Sequence, residues 1–139
     1  MKKENLIIPG TVLVILIIFF ALFYAFGGFN NNTASESNIY QTKTSEEEVT
    51  IDLTPREYKD GKFYVDIGVN THTVSLEQFD LKQLVKLDYS STSINPVLAP
   101  ELSGHHNSGV LVFNVDKEPR NFRIIIRGIP DVEERIFEW

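Results

Sequence analysis

Three histidines carry most of the chemistry this sequence offers: His72 in "NTHTVSL", and the adjacent His105 and His106 in "SGHHNSG". A neutral imidazole binds Zn(II) at ~2.0–2.1 Å through a ring nitrogen, and two imidazoles with a carboxylate suit Zn(II) or Cu(II). Glu77, Asp80 and Glu101 lie along the same stretches and are the candidate carboxylates. A transition-metal site on His72, His105 and His106, with zinc or copper as its ion, is therefore one expectation. The chain has no cysteine, which excludes a blue-copper centre. In an extended strand neighbouring side chains point to opposite faces, so His105 and His106 can share an ion only where the chain turns. Gly104 and Gly109 bracket the pair and are read as turn-forming, because glycine admits a left-handed backbone without penalty. The plainer alternative is that these imidazoles donate to loop carbonyls and fix the turn.

Catalysis has less support. Ser103 and Ser108 flank the histidine pair, but there is no G-x-S-x-G elbow to expose a nucleophile. Carboxylates are scattered as on a solvated face, so no acid–base pair stands out. The sequence predicts a binding or structural protein rather than an enzyme. Nineteen acidic against thirteen basic residues give a formal charge of −6, and Lys2 and Lys3 form the only cationic cluster. No positive face is available to neutralise phosphates, which argues against nucleic acid as a partner.

The elements that must position the histidines begin with a membrane segment. "LIIPGTVLVILIIFFALFYAF", residues 6–26, runs twenty-one residues without a charge. At ~1.5 Å per residue a helix of this length spans roughly 30 Å, the thickness of a bilayer core. The run exceeds the roughly 7–15 apolar residues of a cleaved signal peptide, so it reads as an uncleaved single-pass anchor over 6–28. Pro9 and Gly10 fall in its first turn, where a missing backbone donor costs least. Lys2 and Lys3 precede it, which places residues 1–5 in the cytoplasm as a short tail and everything after the anchor outside. Localisation is thus the cell membrane, with the carboxyl-terminal part extracytoplasmic.

Residues 29–48 are rich in Asn, Ser, Thr and Glu. Having little to bury, they read as a flexible polar and acidic linker with a root-mean-square reach of roughly 25 Å. From residue 49 the apolar period becomes two. Val49, Ile51 and Leu53 alternate with Thr50, Asp52 and Thr54, and beyond "KDGK" Phe63, Val65, Ile67 and Val69 do the same. The Asp-Gly pair predicts a tight hairpin between these two strands. Further β-branched runs at 84–89, 109–115, 122–127 and 132–137 alternate with Pro, Gly, Asn and Asp clusters. Residues 76–85 fit either one short helical turn or an approach to a strand. Together they predict an antiparallel β-sandwich of immunoglobulin-like type over 49–139, held without a disulfide. In "RIFEW", Arg135, Phe137 and Trp139 share one face, and Trp139 either closes an end of the sandwich or walls a ligand site.

"NTHTVSLEQFDL" (70–81), "GHHNSGVLVF" (104–113) and "RIFEW" (135–139) together resemble an uncharacterised family of membrane-anchored or secreted prokaryotic β-sandwich proteins with a Thr-His-Thr/Ser-Val and Gly-His-His-x-x-Gly pattern. The resemblance covers most of the outer domain and points to His72, His105 and His106 with Gly104 and Gly109, but implies no activity. Members often carry Ser and Asp where this chain has Thr73 and Ser75. Three functional expectations follow. The first is a membrane-anchored extracytoplasmic binding module holding a transition metal through its loop histidines. The second is a structural or protein-interaction module that docks another envelope protein without metal. The third is pH sensing by the imidazoles.

Overall fold

The computed structural model describes residues 40–139. The expected cytoplasmic tail, the expected anchor over 6–28 and the first part of the expected linker lie outside the described residues. Among the described residues no helix is long and apolar enough to cross a membrane. The chain forms β1 (Lys43–Ser45), β2 (Val49–Lys59), β3 (Lys62–Thr71), β4 (Val85–Tyr89), β5 (Thr92–Ile94), β6 (His106–Asn114), β7 (Phe122–Arg127) and β8 (Glu134–Glu138). A 3₁₀ turn, Leu76–Gln78, and one short helix, α1 (Leu81–Leu84), bridge β3 and β4. The strands make two antiparallel four-stranded sheets, ordered β1-β2-β3-β6 and β5-β4-β7-β8.

The period-two pattern dictates which faces meet. Val49, Ile51 and Leu53 of β2 and Phe63, Val65, Ile67 and Val69 of β3 are buried, while Thr50, Asp52, Thr54, Tyr64 and Asp66 between them stay partly open. Val85 and Leu87 of β4, Ile124 and Ile126 of β7 and Phe137 of β8 turn inward from the second sheet to join the same core cluster. Each such aliphatic or aromatic side chain contributes about 1.5–3 kcal/mol by leaving water. One shared core between two sheets is a β-sandwich-like fold. The "KDGK" hairpin forms as its residues require. Asp60 and Gly61 both take positive φ, 52° and 73°, and Lys59 pairs with Lys62.

At one end of the core the sheets are joined by aromatic rings. Phe63 of β3 and Phe122 of β7 meet edge to face at 5.0 Å between centroids, and Tyr40 stands edge-on to both, at 6.3 and 5.5 Å. Trp139 stacks on Phe122 at 5.3 Å, and its indole N–H donates to the Gln41 carbonyl at 2.9 Å. Trp139 therefore covers this end of the core. The same contacts order residues that composition assigns to the linker: Tyr40 packs on the core, and Lys43–Ser45 pairs with Ile51–Leu53 as β1. A polar composition concealed this, because a single aromatic ring and three ladder pairs suffice to dock the strand.

Arg135 closes the other end. It points inward with Phe137 and is only 2% exposed, and its guanidinium donates to the carbonyls of Ile129 (2.9 Å), Pro130 (2.8 Å), Val132 (3.4 Å) and Val49 (3.4 Å). Burial lowers its pKa, yet arginine stays charged, and carbonyl acceptors on several sides make the buried charge tolerable. Since Phe122 carries the packing between the sheets, Phe122→Ala is expected to cost about 3–5 kcal/mol of stability. Urea unfolding of the full chain in detergent checks this, and a loss below about 1 kcal/mol would mean the end is closed by other contacts.

Candidate functional site

The candidate site lies at the Arg135 end, where β2 begins, β3 ends and β6 begins. Val49 pairs with Thr71 and Asn70 with His106, and the Thr71 amide donates to the His105 carbonyl at 2.9 Å. His106 is the first residue of β6 rather than part of a turn preceding it, so its side chain takes the outer face of the sheet with its register partner Asn70. His106 Nδ1 and Asn70 Oδ1 are 3.0 Å apart. An amide oxygen only accepts, so in this assignment Nδ1 carries the proton and Nε2 keeps its lone pair. His72, one residue beyond β3, meets His106 edge to face at 5.6 Å between ring centroids. The loop histidines expected to converge thus do so as one pair, His72 with His106.

His105 lies in the bend just before β6. It stands near Glu77, whose carboxylate accepts from the Ser75 hydroxyl at 2.7 Å and from the Gly104 amide at 3.3 Å. The Ser75 hydroxyl, the Gly104 amide and the charge of His105, in that order, lower the Glu77 pKa. Asp80 caps α1, accepting from the Lys82 amide at 2.9 Å and from Gln83 Nε2 at 2.9 Å, and Glu101 is exposed. Among the described residues no three His, Asp or Glu side chains gather where they could hold one metal ion.

The two glycines differ from each other. Gly104 takes φ +59° in open space, a turn position as the sequence implies. Gly109 does not form a turn: it sits within β6 opposite Ile67. Its requirement is a close approach, since a Cβ there would lie 2.6 Å from Cβ of Pro100. The turn before β6 is closed instead by Asn107, whose Oδ1 accepts from the Ser103 amide at 2.7 Å.

One feature of this end has no signature in the sequence. Glu48 and Asp131, eighty-three positions apart, share a carboxyl contact beside the Arg135 loop. The Thr73 hydroxyl donates to Glu48, and the Thr71 hydroxyl donates to the Glu48 carbonyl at 2.8 Å. Hydrogen bonds from Thr73 and then Asp131 lower the Glu48 pKa, whereas the neighbouring Glu48 raises that of Asp131. Two carboxyl groups in contact favour sharing one proton over holding two charges. The hydroxyls of Thr73 and Ser75 therefore each serve a carboxylate of the loop cluster.

No protein-family model, curated protein or solved structure matches this chain.

The two carboxyls have pH consequences of opposite sign. A carboxyl whose folded pKa is raised binds its proton more tightly when folded, so Asp131 subtracts stability as pH rises through its unfolded and then its folded pKa. Glu48, lowered, acts the other way: its contribution is present above its unfolded pKa and is lost as pH falls through the folded one. Asp131→Asn removes the like charge and keeps a residue tolerant of the left-handed backbone at φ 70°. It is expected to raise the melting temperature at about pH 7 and to leave it nearly unchanged at about pH 3, where Asp131 is protonated in either state. Equal melting temperatures at both values would show that the two carboxyls do not interact.

Proposed function

We propose that this chain is a single-pass, membrane-anchored extracytoplasmic β-sandwich that works as a protein-interaction module of the cell envelope. The uncharged run over 6–26 and the lysines before it support the anchor and the orientation. The strand order supports an immunoglobulin-like topology: β2, β3 and β6 occupy the places of strands A, B and E, and β4, β7 and β8 those of C, F and G, with β5 as an added edge strand. Leu98, bridged to Val112 beside β6, stands where strand D would pair.

The observation that carries the binding reading is the set of loops at the histidine end. Side-chain hydrogen bonds tie the chain together there, Thr73 to Glu48 and His106 to Asn70 around the first sheet and the Gly104 amide to Glu77 between two connecting segments, so an exposed polar surface is held in one shape before any partner arrives. Preset loops on a rigid scaffold bind with little ordering cost. A photo-crosslinking residue placed at His105 or Asp131 is expected to give one discrete adduct in native membranes, while the same residue at Tyr64, on the sheet face, gives none. No adduct from either loop position would remove this reading.

The second reading, a transition metal at this end, draws on the His72–His106 pair. His106, oriented by Asn70, presents Nε2 as the free nitrogen, as a metal-binding histidine with an outer partner does. Titrating the full chain in detergent with Zn(II) or Cu(II) while following histidine ring signals separates the two readings. Joint movement of His72 and His106 at micromolar metal, abolished by His106→Ala, favours the metal; independent and weak responses favour the protein partner.

A further inference from the structure

The opposite end of the sandwich carries a cavity of about 550 Å3 between the β4–β5 hairpin and the end of β8. This size falls within the range of small-molecule sites. Its wall combines the hydroxyls of Ser90, Ser91, Thr92 and Ser93 with Asn121, the Arg123–Asp88 pair, Glu138 and the Trp139 ring.

The hairpin is built against local preference. Tyr89 pairs with Thr92, leaving Ser90 and Ser91 as a two-residue loop with φ 44° and 68°. A turn of this kind favours Asn-Gly, because left-handed backbone is disfavoured for residues with a Cβ. In the "KDGK" hairpin of this same chain the position equivalent to Ser91 is Gly61. Backbone held against preference at a cavity rim points toward a binding function for the side chains it presents.

The wall chemistry selects the ligand class. Arg123 donates from Nε and Nη2 to Asp88 Oδ2 at 3.1 and 3.0 Å, so its charge is already neutralised, and Glu138 adds a further negative charge. An anion is thus disfavoured. A purely apolar ligand would strip water from the polar groups of this wall without replacing its hydrogen bonds. Trp139, whose N–H is taken by Gln41 and whose ring is stacked on Phe122 with the Lys43 ammonium over it at 5.6 Å, offers the cavity a ring edge rather than a donor. Hydroxyls, carboxylates, an amide and a guanidinium match a neutral polyhydroxylated ring, which presents hydrogen-bond donors and acceptors all round its rim. We infer that this cavity binds a neutral saccharide chain, independently of what the histidine end does.

Trp139 is the only tryptophan in the chain, so its fluorescence reports this site alone. The full chain in a detergent without sugar headgroups is titrated with maltotriose, cellotriose and chitotriose, with inorganic phosphate as a separate titration. A saturable change in Trp139 emission with at least one trisaccharide is expected. It should weaken about 3- to 10-fold in Ser91→Gly, which removes a hydroxyl while easing the backbone, and by at least as much in Arg123→Gln. Ser91→Gly should also raise the melting temperature, which separates loss of binding from loss of fold. The inference is overturned if no trisaccharide changes the emission, if phosphate alone does so, or if both variants bind as tightly as the wild type.

Discussion

The edge-to-face contact of Phe63 with Phe122 is the point on which this domain depends. The chain has no cysteine to staple its sheets, so apposition must come from non-covalent contacts, and these two rings reach across from β3 to β7. Aromatic pairs at such separations contribute about 0.5–1.5 kcal/mol beyond the area they bury. Their larger effect is organisational. Tyr40 and Trp139, near the two ends of the folded segment, both rest on Phe122, so its first and last parts are fastened to the same ring.

The opposite end solves a different problem. Loops there leave backbone carbonyls facing inward, and a buried carbonyl without a donor costs free energy comparable to a lost hydrogen bond. Arg135 meets this with one side chain whose planar fork reaches four carbonyls. A charge buried this deeply is helped by negative potential, and Glu47 supplies the larger share of it. Around this anchor the Glu48–Asp131 and Glu77–Ser75 contacts fix the loops bearing the histidines. One end is thus closed by apolar stacking and the other by polar satisfaction.

This division bears on the two candidate sites. At the histidine end the side chains largely satisfy one another, which suits a surface recognised as a whole. At the aromatic end hydroxyls line a cavity beside a fixed indole, which suits a ligand that enters. Neither depends on the other, since they lie at opposite ends of strands running the length of the core.

The sequence by itself determined the inward faces of β2 and β3, because period-two alternation leaves one way to bury the apolar residues. It determined the "KDGK" hairpin through the backbone freedom of Asp60 and Gly61, and it placed Trp139 on the same face as Phe137. Only the tertiary structure decided that His72 meets His106, with His105 near Glu77. That depends on β6 starting at His106, one register position that local composition does not encode. The same holds for Gly109, needed because Pro100 passes over it, for Tyr40 and β1, docked by distant rings, and for Glu48 beside Asp131. Side-chain periodicity is a local property that a sequence displays directly, whereas these contacts arise between residues brought together by the whole strand order.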